Sequence, residues 1–241
     1  MFKFLLVSAR SGEDILASEY RDFLMATKLN RSQLDHVVLD SFTARLPDVS
    51  GYQGIFIGGS PFNISDAHYS DVQVYVHQQL LSLLDRSIPK MFVCFGSSLL
   101  SHSLGGSVSR AYAEDAGPTI VELTGAGRTD PLLRGLPQRF EALTGHTENV
   151  EKLPAKATLL ATGPTCPAQM YRLPGETWAC QFHAEMDPLG MENRMRFYLD
   201  YGYFDPGEFD RIVERIHRMD TRYANRILAN FVAYCAAKSS K

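Results

Sequence analysis

Met91-Phe92-Val93-Cys94-Phe95-Gly96-Ser97-Ser98-Leu99-Leu100 is the stretch that decides the fold. A short apolar run gives way to small turn residues, and leucines resume at once. The spacing predicts a buried strand, a tight turn and the start of a helix. Such a strand-to-helix elbow lifts one side chain out of the sheet and sets it near the positive end of the following helix. The side chain at the elbow is Cys94, and that position favours thiolate, the reactive form of cysteine.

Working outward toward the N-terminus, Lys3 to Val7 reads as a core strand. Ser11-Gly12-Glu13-Asp14 follows as a helix-start signal before Leu16, Tyr20, Phe23 and Leu24 at helical spacing. His36 to Asp40 and Tyr52 to Ile57 read as two further strands, the second ending in Gly58-Gly59-Ser60-Pro61. Val72, Val76, Leu80 and Leu83 mark a helix, although Val72-x-Val74-x-Val76 alone also fits a strand. Beyond the elbow, Leu104-Gly105-Gly106 signals a helix end.

Toward the C-terminus, strand-like runs at Thr119–Leu123, Phe140–Leu143, Ala157–Ala161 and Ala168–Leu173 lead to Ala179-Cys180-Gln181-Phe182-His183-Ala184-Glu185. After Asp187-Pro188-Leu189 two helical stripes follow, one through Phe209, Ile212, Val213 and Ile216 and one through Tyr223, Ile227, Phe231 and Tyr234. Lys238 to Lys241 read as a frayed end. Helix-separated strands early and closely spaced strands later imply a mainly parallel α/β sheet with an antiparallel portion.

Composition narrows the partners. The 241 residues are 45% hydrophobic and 21% charged with a formal net charge of −3, an ordinary globular balance without a basic footprint for nucleic acid. No stretch reaches the ~20 apolar residues of a membrane span, and Phe2 to Val7 lacks the basic leader of a signal peptide. The four cysteines form no C-x-x-C pair, so neither a disulfide framework nor a zinc site is expected. A cytoplasmic protein acting on a small molecule is the expectation, with no nucleic acid, membrane, metal or cofactor.

A buried free cysteine is usually a core residue, and Cys180, between Trp178 and Phe182, reads that way. Cys94 differs because a core cysteine has no need of an elbow. His183 with Glu185 two residues on supplies a base and an orienting acid for a cysteine nucleophile. Gly58-Gly59-Ser60-Pro61 reads either as a turn ending a strand or as backbone amides aimed at an oxyanion. A phosphate loop is excluded, because neither glycine-rich phosphate motif is present. His146, in Gly145-His146-Thr147-Glu148, says little by itself.

Taken together, these stretches resemble the class I glutamine amidotransferase domain, in particular stand-alone members similar to the glutaminase part of GMP synthase. The resemblance runs in order through residues 54–61, the Cys94 elbow, Leu104-Gly105-Gly106, Gly145–Glu148, Gln181–Glu185 and Asp200-Tyr201-Gly202-Tyr203-Phe204. It implies a three-layer, flavodoxin-like α/β domain over residues 1–190, with a helical extension over 191–241 packed on the same domain. It also implies a Cys94-His183-Glu185 triad that attacks the side-chain amide of glutamine through a γ-glutamyl thioester.

Gly59 and Phe95 would then supply oxyanion amides, with Gly58, Ser98 and His146 around the substrate. Any ammonia would pass to a separate synthetase. The chain departs from the family's G-x-C-x-G-x-Q elbow at Phe92, in place of the first glycine, and at Ser98, in place of the glutamine. Phe92 is expected to crowd the elbow, and Ser98 is too short to hold the amino-acid end of glutamine. Ala184 replaces the usual proline. Two alternatives stay open: a γ-glutamyl peptidase or hydrolase using the same triad, and a catalytically silent binding relative.

Overall fold

A computed structural model describes residues 2–239. Alternation of apolar side chains along the strands builds a three-layer molecule. In β1 (Phe4–Ser8) Phe4 and Leu6 enter one apolar cluster while Leu5 and Val7 enter another on the opposite face. β3 (Gly54–Ile57), β4 (Lys90–Val93) and β11 (Thr177–Cys180) repeat the pattern. Phe56, Met91, Val93 and Trp178 point to the first cluster, and Ile55, Ile57, Phe92 and Ala179 to the second. A sheet apolar on both faces has to be covered on both.

Helix α1 (Glu13–Thr27) packs beside α6 (Arg222–Ser239) on the first face, bringing Phe23 and Phe231 against Phe56. On the second face lie α2 (Asp71–Ser82) and α3 (Phe95–Ser103), through Val76, Leu80, Leu99 and Leu100. The ambiguous valine run therefore belongs to a helix, started by Ser70, whose side chain accepts from the Gln73 N–H.

The sheet has nine strands in the order β2-β1-β3-β4-β11-β10-β9-β6-β7. The first five, including β2 (Leu34–Val38), run parallel. The others, β10 (Met170–Leu173), β9 (Thr158–Thr162), β6 (Glu114–Leu123) and β7 (Arg139–His146), join antiparallel. This is the mainly parallel sheet with an antiparallel portion that the sequence predicts. A small ribbon of β5 (Ser107–Ser109) and β8 (Asn149–Lys152) lies apart from it.

Several element bounds differ from the sequence reading, and β5 and β8 have no counterpart in it. The second strand starts two residues earlier than His36, because Asp35 is held at the sheet edge by Lys3 and Tyr52. Pro188–Phe197 forms a further helix, α4, so a boundary at 190/191 falls inside it. With α5 (Phe209–Ile216), α4 covers a third apolar cluster centred on Leu143, Met186, Met191 and Met195. Lys238 and Ser239 lie within α6, and the rest of the expected frayed end, Ser240 and Lys241, lies outside the described residues.

Candidate active site

Cys94 stands at the carboxyl end of β4, where ligand sites form in parallel sheets. Its φ of 51° is in the left-handed region, a conformation that costs a non-glycine residue about 1–3 kcal/mol and clusters at functional sites. Backbone bonds hold it there, with the Cys94 N–H given to Cys180 O and the Ser97 N–H to Cys94 O, both at 2.8 Å. At Gly96 a Cβ would lie 2.8 Å from the Phe92 ring, so the close approach of helix to strand requires glycine. Phe92 therefore crowds the buried side of the elbow. It belongs to the apolar cluster under α3 and lines no part of the cleft around Cys94.

β11 pairs with β4 in parallel, Cys180 opposite Val93, so the residues that follow β11 emerge beside Cys94. The His183 N–H bonds Leu143 O at 2.8 Å, which fixes the backbone at that point. His183 Nδ1 lies 2.7 Å from Glu185 Oε1, and both side chains are buried. Burial opposes a charged imidazole, yet Glu185 and Cys94 outweigh it and raise His183 to about 10. Burial likewise opposes the Glu185 charge, but His183 and, more weakly, Arg194 hold that carboxyl below its ordinary range.

Around the sulfur the predicted residues divide. The Gly59 N–H meets no acceptor among the described residues, and Phe95, first residue of α3, has an N–H with no partner in its own helix. A point one bond from the Gly59 Cα lies 3.7 Å from Cys94 Cβ and 3.3 Å from His183 Cε1, so this glycine closes on both. Gly58 is a correction. Its N–H is spent in the sheet on Val7 O at 3.0 Å, and its Cα packs against the Glu19 carboxylate, so it has no donor to offer. Ser98 is buried beside Cys94 with its Oγ unpartnered.

His146 lines the same space as Ser98 and bonds Glu114 through Nε2 at 2.9 Å. Glu114 also accepts from Thr119, Thr144, Thr165 and Gln169. Burial opposes its charge, but these donors, His146 foremost, hold the carboxyl at about 2. Cys166 lies close enough to Glu114 and His146 for the three to suggest metal ligands. Their chemistry fits a hydrogen-bonded hub better. The carboxylate is fully engaged by these donors, and Cys166 Sγ accepts from Asn149 Nδ2 at 2.9 Å.

The cleft has two lobes that meet at Cys94. The smaller is walled by Phe95, Ser98, His146, Thr147 and Gln181. The larger, partly open to solvent, is walled by Arg10, His183, Met195, Arg194, Tyr198 and Phe204. Several of these residues escape sequence reasoning. Gln181 points its side-chain amide at Cys94 Sγ, 3.8 Å away. Arg10, just past β1, gives Nε to Gly59 O at 3.2 Å, Nη1 to the Tyr198 hydroxyl at 3.1 Å, and Nη2 to Glu19 at 3.1 Å. Arg194 lies 4.0 Å from Glu19 and 3.8 Å from Asp22. The only available cue is Arg10's place at the carboxyl end of a parallel strand.

An elbow cysteine beside a buried histidine–carboxylate pair is the set of groups a thiol-dependent acyl-transfer site requires. The family profile "Glutamine amidotransferase class-I" matches residues 24–198, and the chain belongs to that family. It is 30% identical over 148 residues to a GMP synthase [glutamine-hydrolyzing] of Aeropyrum pernix, covering 61% of this chain and 26% of that protein. It is 26% identical over 174 residues to the Neisseria meningitidis GMP synthase, covering 70% of this chain and 32% of that protein. The chain thus spans about a third or less of the length of these relatives.

Among solved structures, a glutamine amidotransferase from Thermotoga maritima superposes with a TM-score of 0.78 at 20% identity, covering 98% of both chains. One from Methylobacillus flagellatus gives 0.71 at 17% identity, covering 97% of this chain and 95% of that one. These likenesses carry the fold: a three-layer α/β domain of the class I glutamine amidotransferase type. No helix among the described residues is long and apolar enough to cross a membrane.

Proposed function

We propose that this protein is a thiol amidase that hydrolyses the side-chain amide of glutamine or of a related γ-glutamyl compound. The observation that carries the reading is the placement of Cys94 at a strained elbow beside a buried His183–Glu185 pair. Membership of the class I family, and relatives named as glutamine-hydrolysing GMP synthases, support it.

In this reading Cys94 Sγ attacks the γ-carbonyl, and the developing oxyanion is met by the N–H groups of Gly59 and Phe95. His183 hands a proton to the departing nitrogen as the C–N bond breaks, leaving a γ-glutamyl thioester. It then takes a proton from water, which adds to the thioester carbonyl and frees glutamate and the Cys94 thiol. Glu185 orients the ring and balances its charge. If ammonia is the released amine, a separate synthetase is its proposed acceptor, a reading supported by the relatives named GMP synthase [glutamine-hydrolyzing].

The test is glutamate release from glutamine and γ-glutamyl amides by the protein and its Cys94→Ser variant. Release by the parent and its loss in the variant is the expected result. Equal release by both removes the thiol mechanism.

A further inference from the structure

The two lobes beside Cys94 are chemically unlike, and an acyl-transfer nucleophile has two sides to fill. Phe95, whose N–H faces the oxyanion position in this reading, walls the smaller lobe, whereas His183, the proton donor to the departing nitrogen, walls the larger. The acyl group therefore belongs in the smaller lobe and the leaving group in the larger. Ammonia needs no more than a passage. The larger lobe, partly open to solvent, instead offers apolar walls from Met191, Met195 and Phe204 together with two buried arginines, Arg10 and Arg194.

Arg194 is the more telling of the two. It lines the lobe and is only 6% exposed; its Nε and Nη2 are closed off without a hydrogen-bond partner among the described residues, and Nη1, 4.0 Å from Glu19, is the nitrogen left for a ligand. Its carboxylate neighbours, at 3.8 and 4.0 Å, lie beyond hydrogen-bond reach. Burial raises Asp22 to about 7, so near neutrality that partner is only partly charged. A buried guanidinium with unused donors is costly to maintain unless an anion completes it. Arg10, held by Gly59, Tyr198 and Glu19, extends the positive wall toward Cys94.

We propose that the larger lobe is a leaving-group subsite for an amine that carries an apolar body and a carboxylate, so that the substrates are γ-glutamyl amides of apolar amino acids. The proposal rests on the thiol-amidase reading above and names its substrate class. The amide C–N bond breaks with one proton passing from His183 to nitrogen, the free amino acid departs, and water converts the thioester to glutamate and Cys94 thiol. No other reactant is required.

The experiment compares kcat/KM for glutamine, γ-glutamyl-phenylalanine and γ-glutamyl-phenethylamide, which differs from the second only in lacking the carboxylate. The dipeptide should exceed each of the others by about tenfold or more, the scale of one charge-assisted hydrogen bond. Arg194→Met should lower the dipeptide-to-phenethylamide ratio by a similar factor. Should that variant fold poorly, product inhibition of the unaltered protein gives a second reading, with phenylalanine expected to inhibit about tenfold more strongly than phenethylamine.

Glutamine turned over as well as the dipeptide, or the phenethylamide as well as the dipeptide, overturns the subsite. Mass spectrometry of Cys94 separates the two failures. A γ-glutamyl adduct formed without dipeptide preference rejects the subsite alone. Absence of any adduct and any turnover with all three compounds rejects the thiol-amidase reading and the subsite with it.

Discussion

Nδ1 of His183 and Oε1 of Glu185 stand 2.7 Å apart with both side chains closed off from solvent. Glu185 is the largest influence holding the imidazole charged against burial, at about 10. A folded value above the ordinary 6.5 means the pair's stabilisation is complete below that pH and is lost as pH rises through about 10. Glu185→Gln should move the His183 titration down toward 6.5, readable by NMR of the ring protons. His183→Ala should cost about 10²–10⁴ in kcat, and more than Glu185→Gln, because the base is less dispensable than its orienting partner.

Cys94 should be the thiol that alkylates first at neutral pH. Burial pushes Cys166 and Cys235 up to about 12 and Cys180 well above its ordinary value, so those three stay protonated. Limited iodoacetamide treatment followed by peptide mapping reads the order directly. Labelling of Cys166 or Cys235 ahead of Cys94 contradicts the prediction.

Gly58→Ala should damage activity although Gly58 offers no donor to the site. A Cβ there would lie 2.6 Å from Glu19 Oε1, and Glu19 holds Arg10, which in turn holds the Gly59 carbonyl. Displacement of this chain shifts the amide expected to receive the oxyanion. The expected outcome is a fall in kcat by about tenfold or more, with the far-ultraviolet circular dichroism retained. Unchanged kcat would mean that Glu19 yields without moving Gly59.

Ser98→Gln restores the side chain usual in the family and should improve glutamine binding. Ser98 lies in the smaller lobe, where a longer amide can reach the amino-acid end of a substrate. Since Phe92 lines neither lobe, the single change should suffice. A lower KM for glutamine with little change in kcat is expected, by about tenfold for one charge-assisted hydrogen bond. A parent protein that already turns over glutamine at micromolar concentration would remove the basis for this prediction.

Asp22 should make stability fall between about pH 4 and about pH 7. Burial is the main cause of its rise from 3.8 to about 7, with Glu185 adding to it and Arg194 and Arg21 opposing. In that window the folded protein binds more protons than the unfolded chain, so each step up in pH costs stability. Asp22→Asn should flatten that decline when melting temperatures at about pH 5 and about pH 8 are compared. An unaltered slope would show that Asp22 does not titrate there.

Much of this was legible in the chain because local chemistry spoke for it. Cys94 announces itself by a turn that a core cysteine would not need, and Phe4 to Val7 by apolar side chains with no polar interruption. α4 carries a clear local cue: Asp187 caps the Gly190 N–H at 2.7 Å, and Pro188 takes the first helical position. β5 and β8 left almost none, being three and four residues long and largely polar. Arg10 and Arg194 could not be linked in advance. Their shared partner, Glu19, sits on a helix whose surface pattern gives no hint that a carboxylate is buried there.

The pairing of β4 with β11 bears on how such a chain can change over evolution. The reach from Cys94 to His183 is set by the spacing of two neighbouring strands, not by the length of polypeptide between them. Residues 41–48, a largely exposed stretch between β2 and β3, can lengthen or shorten without altering that reach. Descendants of this sequence therefore have room to acquire new surface, and with it new binding partners, while the reacting groups keep their distance.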